Sequence, residues 1–374
     1  MFVEIYAFVQ VALIPIMIRE FQLSLFEISL VATVPSVAAL LINIPSGFLA
    51  DRFNLNHLLF VSMIIEGVSA LIINQTRSFW ALVIGVAFVR IASPVYHISG
   101  LSQLSRLSQP KQMSRYVGFH NAFGNIGSAA GLLSLTFFLS TTGWRWTYLF
   151  WSFPIIAWGF VLLSSPLLRN GQNRARADPS ASKFSRMSKV LSPALLIFLI
   201  VIAVRQVGAT GSSTFMTTYF VDFRNLSETT ASLVFAFGPV MGIFGSLMGG
   251  YMAEKLGVRR ALNWIIPGCA ISLLTVSLVS HLYILALVFL VYTLLDNAVW
   301  SPFNTLLASI TPEPKRGLSY SFYFLVEGLM ASISPAIAVG VIEVSSVWYV
   351  FPFCVVFFIA SVAILQFLPR SRRR

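Results

Sequence analysis

The sequence predicts an all-α membrane protein in which twelve transmembrane helices form two pseudo-symmetric six-helix bundles. Three observations lead to this fold class. The 374 residues are 57% hydrophobic and only 10% charged, whereas a soluble domain carries about 25% charged residues. The apolar residues fall into twelve runs of spanning length, and one motif recurs at the same place in each set of six runs. The apolar surplus must face lipid, because a soluble chain of this length needs a polar surface.

Each predicted helix is an apolar run of about 20 residues, the length that crosses the hydrocarbon core of a bilayer. The predicted N-terminal bundle, residues 1–168, contains runs at roughly 1–18, 25–50, 58–76, 79–104, 116–140 and 147–168. The predicted C-terminal bundle with its short basic tail, residues 190–374, contains runs at roughly 190–221, 229–253, 261–280, 282–308, 318–342 and 347–368.

The charges predict the orientation of the chain. Residues 169–189 carry six basic residues against one acid, which indicates a basic linker between the bundles. Nineteen Lys and Arg residues lie on the side of this linker, four lie on the other side, and Arg90 and Arg205 fall inside runs. The positive-inside rule then predicts a multi-pass protein of the cell membrane with both termini in the cytoplasm. Basic residues scattered through short gaps do not indicate a nucleic-acid partner, despite the net charge of +12.

Two further expectations concern the cysteines and the start of the chain. Cys269 and Cys354 lie in apolar runs, so we expect small buried side chains and no disulfide. The motif in the two sets of runs repeats at a shift of 203 residues. The same shift would start the first helix about thirteen residues before Met1. We therefore expect either additional N-terminal residues or an unusually short first helix.

The repeated motif closes the second and the eighth runs. It comprises Gly47, Asp51 and Arg52 in the first copy and Gly250, Glu254, Lys255, Gly257, Arg259 and Arg260 in the second. Both copies resemble the loop motif of the major facilitator superfamily, Gly-x-x-x-Asp-Arg-x-Gly-Arg-Arg. The first copy has Asn54 where glycine is usual, and asparagine tolerates the left-handed turn expected there. It also lacks the two following bases, which puts the family's charge relay in this loop in doubt.

Other segments along the chain are similar to the same family. Gly143 to Tyr148 resembles the segment before helix six, Pro312 to Gly317 resembles the turn before helix eleven, and Arg90 lies where many members carry an arginine. The glycines of the helix-five antiporter motif are present, with Ser128 where proline is typical. A finer resemblance to fosmidomycin-resistance-type exporters rests on Glu4-Ile-Tyr6, Pro15, Tyr96-His97 and Gly124-Asn-Ile-Gly127.

The resemblance implies a secondary transporter that moves a small solute by alternating access around a central cavity. Proton coupling and export of a drug or metabolite are expected, and an uptake symporter or a receptor that has lost transport are the alternatives. The expected partners are membrane lipid, a small-molecule substrate and protons or another coupling ion, for a monomer without cofactor or metal. The sequence contains neither a Gly-x-x-x-x-Gly-Lys-Ser/Thr nucleotide motif nor a His-Glu-x-x-His or Gly-x-Ser-x-Gly enzyme motif.

Ionisable residues inside predicted spans are candidates for substrate binding or coupling, because a charge in the bilayer costs several kcal/mol or more unless it is paired or hydrated. They are Glu4, Glu66, Arg90, His97, His120, Arg205, Asp296 and Glu327. The resemblance places Glu4 and Arg90 at the cavity, where their opposition suggests a coupling switch. Arg205 and Asp296 hold comparable places in the second half. His97 and His120 are expected near water-exposed helix ends, where they could still sense protons.

Asp51 and Glu254 have a different expected role. Each ends a helix on the predicted cytoplasmic side. In the family such an acid docks on the N-terminus of a helix in the opposite half, where the helix dipole favours negative charge. This contact is expected to hold the cytoplasmic side closed and to break on switching.

Overall fold

The computed structural model describes residues 1–23, 25–109, 111–164, 191–227, 230–231, 234–235 and 237–369. Within these residues the regular structure is entirely helical, as the fold class predicted. The predicted basic linker, residues 169–189, lies outside the described residues.

Six α-helices occupy the first part of the chain, after a short 3₁₀ turn at Phe2–Glu4. They are α1 (Ile5–Phe21), α2 (Leu25–Arg52), α3 (Leu55–Gln75), α4 (Phe79–Leu107), α5 (Met113–Thr141) and α6 (Arg145–Ser164). The described residues of the second part contain α7 (Pro193–Thr218), α8 (Gly238–Leu256), α9 (Val258–Leu278), α10 (Leu282–Ala298), α11 (Trp300–Ile310), α12 (Arg316–Val344) and α13 (Val350–Leu365). A π-helical turn, Tyr219–Phe223, extends α7.

The described residues contain ten helical segments that are long and apolar enough to cross a membrane. A multi-pass membrane protein is therefore confirmed, while the count of twelve spans is not fully confirmed. The helices α1 and α8 lie at the predicted first and eighth runs but are not among the ten.

The tenth predicted run, 282–308, is one span made of two helices, α10 and α11, which meet at Val299. The break has a local cause in Pro302. Proline has no N–H to donate to the carbonyl four residues earlier, and its ring crowds that carbonyl. The carbonyl in question is that of Ala298, and it lies against Gly249 of α8, where a side chain would overlap it.

The chain divides into two compact units by its contacts. The first contains Met1–Leu107, Phe123–Ala181 and Glu313–Phe322. Its core lies where α3 packs between α4 and α6. Tyr6 stacks on Tyr148 there, with ring centroids 4.9 Å apart, and its hydroxyl donates to the Tyr148 carbonyl at 3.0 Å.

The second unit contains Ser108–Ala122, Ser182–Pro312 and Tyr323–Arg374. The helix α13 packs on α7 and α9. At one end, the buried ring of Tyr219 packs on Phe351, and its hydroxyl donates to the carbonyls of Val276 and Ser277. The division of the chain into bundles at 1–168 and 190–374 stays a prediction.

Candidate functional site

A carboxylate–imidazole pair joins the first residues of the chain to α4. Glu4 ends the 3₁₀ turn, and its Oε1 lies 2.9 Å from Nε2 of His97. The side chains are 29% and 22% exposed, respectively. His97 is ten residues before the last residue of α4, Leu107, so it does not lie at a water-exposed helix end as expected. Both side chains of the pair are therefore partly covered.

Arg90 lies seven residues before His97 on α4, two helical turns away, so both side chains belong to one face of the helix. The half-buried guanidinium interacts electrostatically with Glu4. Among the described residues, it forms no ion pair within 4 Å. Arg90 thus lies within electrostatic range of Glu4, and the contact of the carboxylate in this conformation is with His97. The coupling switch between Glu4 and Arg90 stays a prediction.

Three glycines of α5 explain how Glu4 reaches α4. A side chain at Gly127 would overlap the Met1 carbonyl, and one at Gly131 would overlap the Ile5 carbonyl. A Cβ at Gly124 would lie 3.3 Å from Cγ of Glu4. Residues 1–5 thus pack directly on the backbone of α5, and Ser128 donates to the Glu4 carbonyl at 3.4 Å. The glycines of the degenerate antiporter motif are the sequence signal for this contact.

Glu66 of α3 lies in the same part of the first unit. It is 1% exposed, and neither carboxylate oxygen has a hydrogen-bond partner among the described residues. Glu66 interacts electrostatically with Glu4. The structure therefore brings Glu4, His97, Arg90 and Glu66 together in one region.

Arg205 and Asp296 form a second ionic contact, in the second unit. Arg205 of α7 is 1% exposed. Its guanidinium contacts the Asp296 carboxylate of α10 and donates to the Asp296 carbonyl at 3.3 Å. The guanidinium also lies 5.3 Å from the ring centroid of Trp300 and 5.9 Å from that of Phe358. The burial of Arg205 and its several partners favour a structural ion pair.

Two further candidates are less informative. Glu327 lies in α12 and His120 in the third turn of α5, and both are partly buried. Both stay predictions as substrate or coupling residues.

The first copy of the loop motif binds the start of α12. Asp51 accepts hydrogen bonds from the backbone N–H of Gly317 at 2.8 Å and of Leu318 at 3.1 Å. Gly47 permits this approach, because a side chain there would meet Ser321 and the Gly317 carbonyl. This is the helix-terminus contact that the resemblance implied for Asp51, and its part in switching stays a prediction. Arg52 is exposed.

The second copy makes the corresponding glycine contact but not the acidic one. A side chain at Gly250 would meet the Ser114 carbonyl in the first turn of α5, which is the 203-residue equivalent of Gly47 meeting Gly317. Glu254 makes no hydrogen bond within the described part of the chain, and its Oε2 is buried without a partner. The docking expected for Glu254 is therefore not seen in this conformation.

The bases of the second copy have separate positions. Arg259 donates to the carbonyls of Gln366 at 2.5 Å and Leu368 at 2.8 Å, and so caps the end of α13. Lys255 lies 5.6 Å from the ring centroid of Tyr251, and Arg260 is exposed.

The turn residue differs between the copies. Gly257 has a φ of +86°, whereas Asn54 has a φ of −65° and caps α3 by accepting from the Asn56 N–H. The left-handed turn expected at Asn54 is therefore wrong.

Comparisons with known proteins agree on the family. The chain is 26% identical to the nitrite extrusion protein of Bacillus subtilis (strain 168) over 254 residues, which are 68% of this chain and 62% of that protein. The chain thus spans less than two thirds of that relative. It is 20% identical to the riboflavin transporter RibZ of Clostridioides difficile (strain 630) over 372 residues, which cover 86% of this chain and 81% of the relative.

Two solved structures share the fold over nearly the whole chain. The proton:xylose symporter XylE has a TM-score of 0.79 at 13% identity, covering 98% of this chain and 94% of the symporter. A bacterial homologue of the iron transporter ferroportin, in its outward-facing state, has a TM-score of 0.78 at 14% identity, covering 98% and 96%. The sequence model of the Major Facilitator Superfamily matches residues 2–335. This protein, with its spanning helices and repeated loop motif, belongs to the Major Facilitator Superfamily.

Proposed function

We propose that the protein couples the movement of a small solute to protons, with Glu4 and His97 as the coupling pair. The observation that carries the proposal is the 2.9 Å contact between the two side chains. A carboxyl group and an imidazole are both ionisable, and their attraction is strongest when the carboxyl group is negative and the imidazole is positive. A proton bound by Glu4, or lost from His97, removes the ion pair. The contact therefore depends on the protonation state, as a coupling device requires.

Arg90 supplies the alternative partner in this proposal. It lies on the same face of α4 as His97 and interacts electrostatically with Glu4 without an ion pair in this conformation. Arginine keeps its charge at all relevant pH values. If Glu4 moves from His97 to Arg90, its ionised form gains a permanent positive partner, which favours release of its proton. Exchange between two partners on α4 would then link proton release to conformation.

The direction that we propose is export. The name of the nitrite extrusion protein supports it, while the proton:xylose symporter supports proton coupling in this fold. There are two alternatives: uptake of the solute together with protons, and a receptor that does not transport. Accumulation in proteoliposomes separates these possibilities, because only a transporter accumulates solute, and the sign of the imposed proton gradient gives the direction.

The test begins with a substrate screen by thermal stabilisation of the purified protein, since a ligand that binds the folded state raises its melting temperature. With the stabilising solute, Glu4→Gln should abolish proton-driven accumulation but keep binding and energy-independent exchange. Arg90→Lys should impair accumulation, because lysine lacks the planar, two-donor geometry of arginine. Glu343→Gln is the matched control, because Glu343 is an exposed residue near the end of α12. Normal accumulation by Glu4→Gln would show that Glu4 is not the coupling residue.

The proposed orientation puts both termini and the linker in the cytoplasm of a cell-membrane protein. A single cysteine at Asn173, in a chain without Cys269 and Cys354, tests it. We expect an impermeant thiol reagent to label this cysteine only after the cells are opened. Labelling of intact cells would contradict the orientation.

A further inference from the structure

Glu66 is a buried acid that the proposed coupling pair does not use. It lies on α3, which packs between α4 and α6, and only 1% of it is exposed. Both carboxylate oxygens lack a hydrogen-bond partner among the described residues. An ionised carboxylate in such a place has lost its water and gained no donor, which is strongly unfavourable. A neutral carboxylic acid avoids most of this cost.

The groups that face Glu66 come from the start of the chain and from α4. At the start of the chain, three groups interact with Glu66 electrostatically: the Glu4 carboxylate, the Met1 amino group and the Tyr6 hydroxyl. On α4, Tyr96 also interacts with it. No described charged group of α2 or α6 contributes to these interactions.

The Met1 amino group of this chain attracts a negative charge on Glu66, but it does so without a close contact. No described residue forms an ion pair with it within 4 Å. The Tyr6 hydroxyl donates its hydrogen bond to the Tyr148 carbonyl and not to Glu66. The remaining carboxylate in range, Glu4, repels a second negative charge. The burial of its carboxyl group without a hydrogen-bond donor therefore favours the neutral acid.

We infer that Glu66 is a second proton-binding site of this transporter, neutral in the present conformation and coupled to Glu4. The inference rests on the proposed proton coupling and extends it from one carboxyl to two. The pair then carries one negative charge at a time. When two acids interact in this way, their protons leave in two steps that belong to the pair and not to either residue alone.

The test is infrared spectroscopy of the purified protein in liposomes, titrated with pH and without substrate. At neutral pH we expect a carbonyl band of a protonated carboxyl that is lost in Glu66→Gln and kept in the exposed control Glu343→Gln. In Glu4→Gln the repelling charge is absent, so the band of Glu66 should disappear at lower pH than in the native protein. An unchanged neutral-pH spectrum in Glu66→Gln, or an unshifted band in Glu4→Gln, would overturn the inference.

The two variants also separate this inference from the proposed function. Glu4→Gln keeps Glu66, so it decides the coupling between the acids even where Glu66→Gln fails to fold. Normal proton-driven accumulation by Glu4→Gln removes the transport role of Glu4, whereas the infrared result decides whether Glu66 carries a proton and whether the charge of Glu4 affects it. In Glu66→Gln, the pH profile of accumulation should lose one of its two proton-dependent steps, and a profile identical to that of the native protein contradicts the second site.

Discussion

The contact between Asp51 and the first turn of α12 allows a quantitative prediction for Asp51→Asn. Two backbone N–H groups, those of Gly317 and Leu318, donate to the two carboxylate oxygens at 2.8 and 3.1 Å. Asparagine keeps one acceptor oxygen and presents an N–H₂ group in place of the other. The variant therefore loses one hydrogen bond to a charged group, which contributes about 1.5–3 kcal/mol. It also loses the favourable charge at the helix N-terminus, which contributes about 0.3–1 kcal/mol.

We expect a loss of about 2 kcal/mol after the side chain relaxes, which corresponds to about a 30-fold change in a local opening equilibrium. Amide hydrogen exchange measures this opening directly, because exchange of Gly317 and Leu318 requires their hydrogen bonds to break. Protection of the first turn of α12 should fall by about 30-fold, while the middle of α12 stays unchanged.

The second copy of the motif provides the matched control. Glu254 makes no hydrogen bond among the described residues, so Glu254→Gln should leave the exchange of the first turn of α5 unchanged. Native protection in Asp51→Asn would refute the reasoning. An equal loss of protection in Glu254→Gln would do so as well, because the two copies would then be equivalent.

Two further substitutions test the packing. Asp296→Asn should destabilise the protein by about 3–5 kcal/mol and lower its melting temperature strongly, because it leaves the charge of buried Arg205 without its acidic partner. A melting temperature near that of the native protein would show that Arg205 has another sufficient partner. Gly127→Ala should cost about 1–3 kcal/mol by overpacking against the Met1 carbonyl, and Gly340→Ala, where nothing lies within 4 Å, should be neutral. Equal melting temperatures of the two alanine variants would contradict the close contact.

The sequence predicted the spanning helices because each is an apolar run of bilayer length. The second run was placed at 25–50 and α2 ends at Arg52, since the run ends where the charged motif begins. The tenth run was expected as one span, and in the structure this span consists of two helices that meet at Val299, three residues before Pro302. A proline can bend a membrane helix, break it or be tolerated in it. Which of these occurs depends on neighbouring residues such as Gly249, which the sequence of one apolar run does not reveal.

The candidate site was predicted as a set of residues but not as a set of contacts. Glu4 and His97 were both candidates, yet their pairing depends on residues 1–5 packing against α5, which is a contact over a long sequence separation. The signal for it was present in Gly124, Gly127 and Gly131, whose spacing also fits an ordinary membrane helix. The contact between Arg205 and Asp296 is easier to expect from the sequence, because two opposite charges inside apolar runs have few other ways to be accommodated.

The glycine contact between residues 1–5 and α5 also determines which parts of the molecule can respond to a proton. Helices that meet through long side chains can absorb a small shift by changing rotamers. Here peptide groups touch at Gly127 and Gly131, and no intervening side chain can adjust. The backbone of Glu4 is thus fixed to the middle of α5. Under the proposed proton coupling, a proton that binds Glu4 would reorient only its carboxyl group, and the response would pass to α4 through His97 and Arg90 while the start of the chain stays in place.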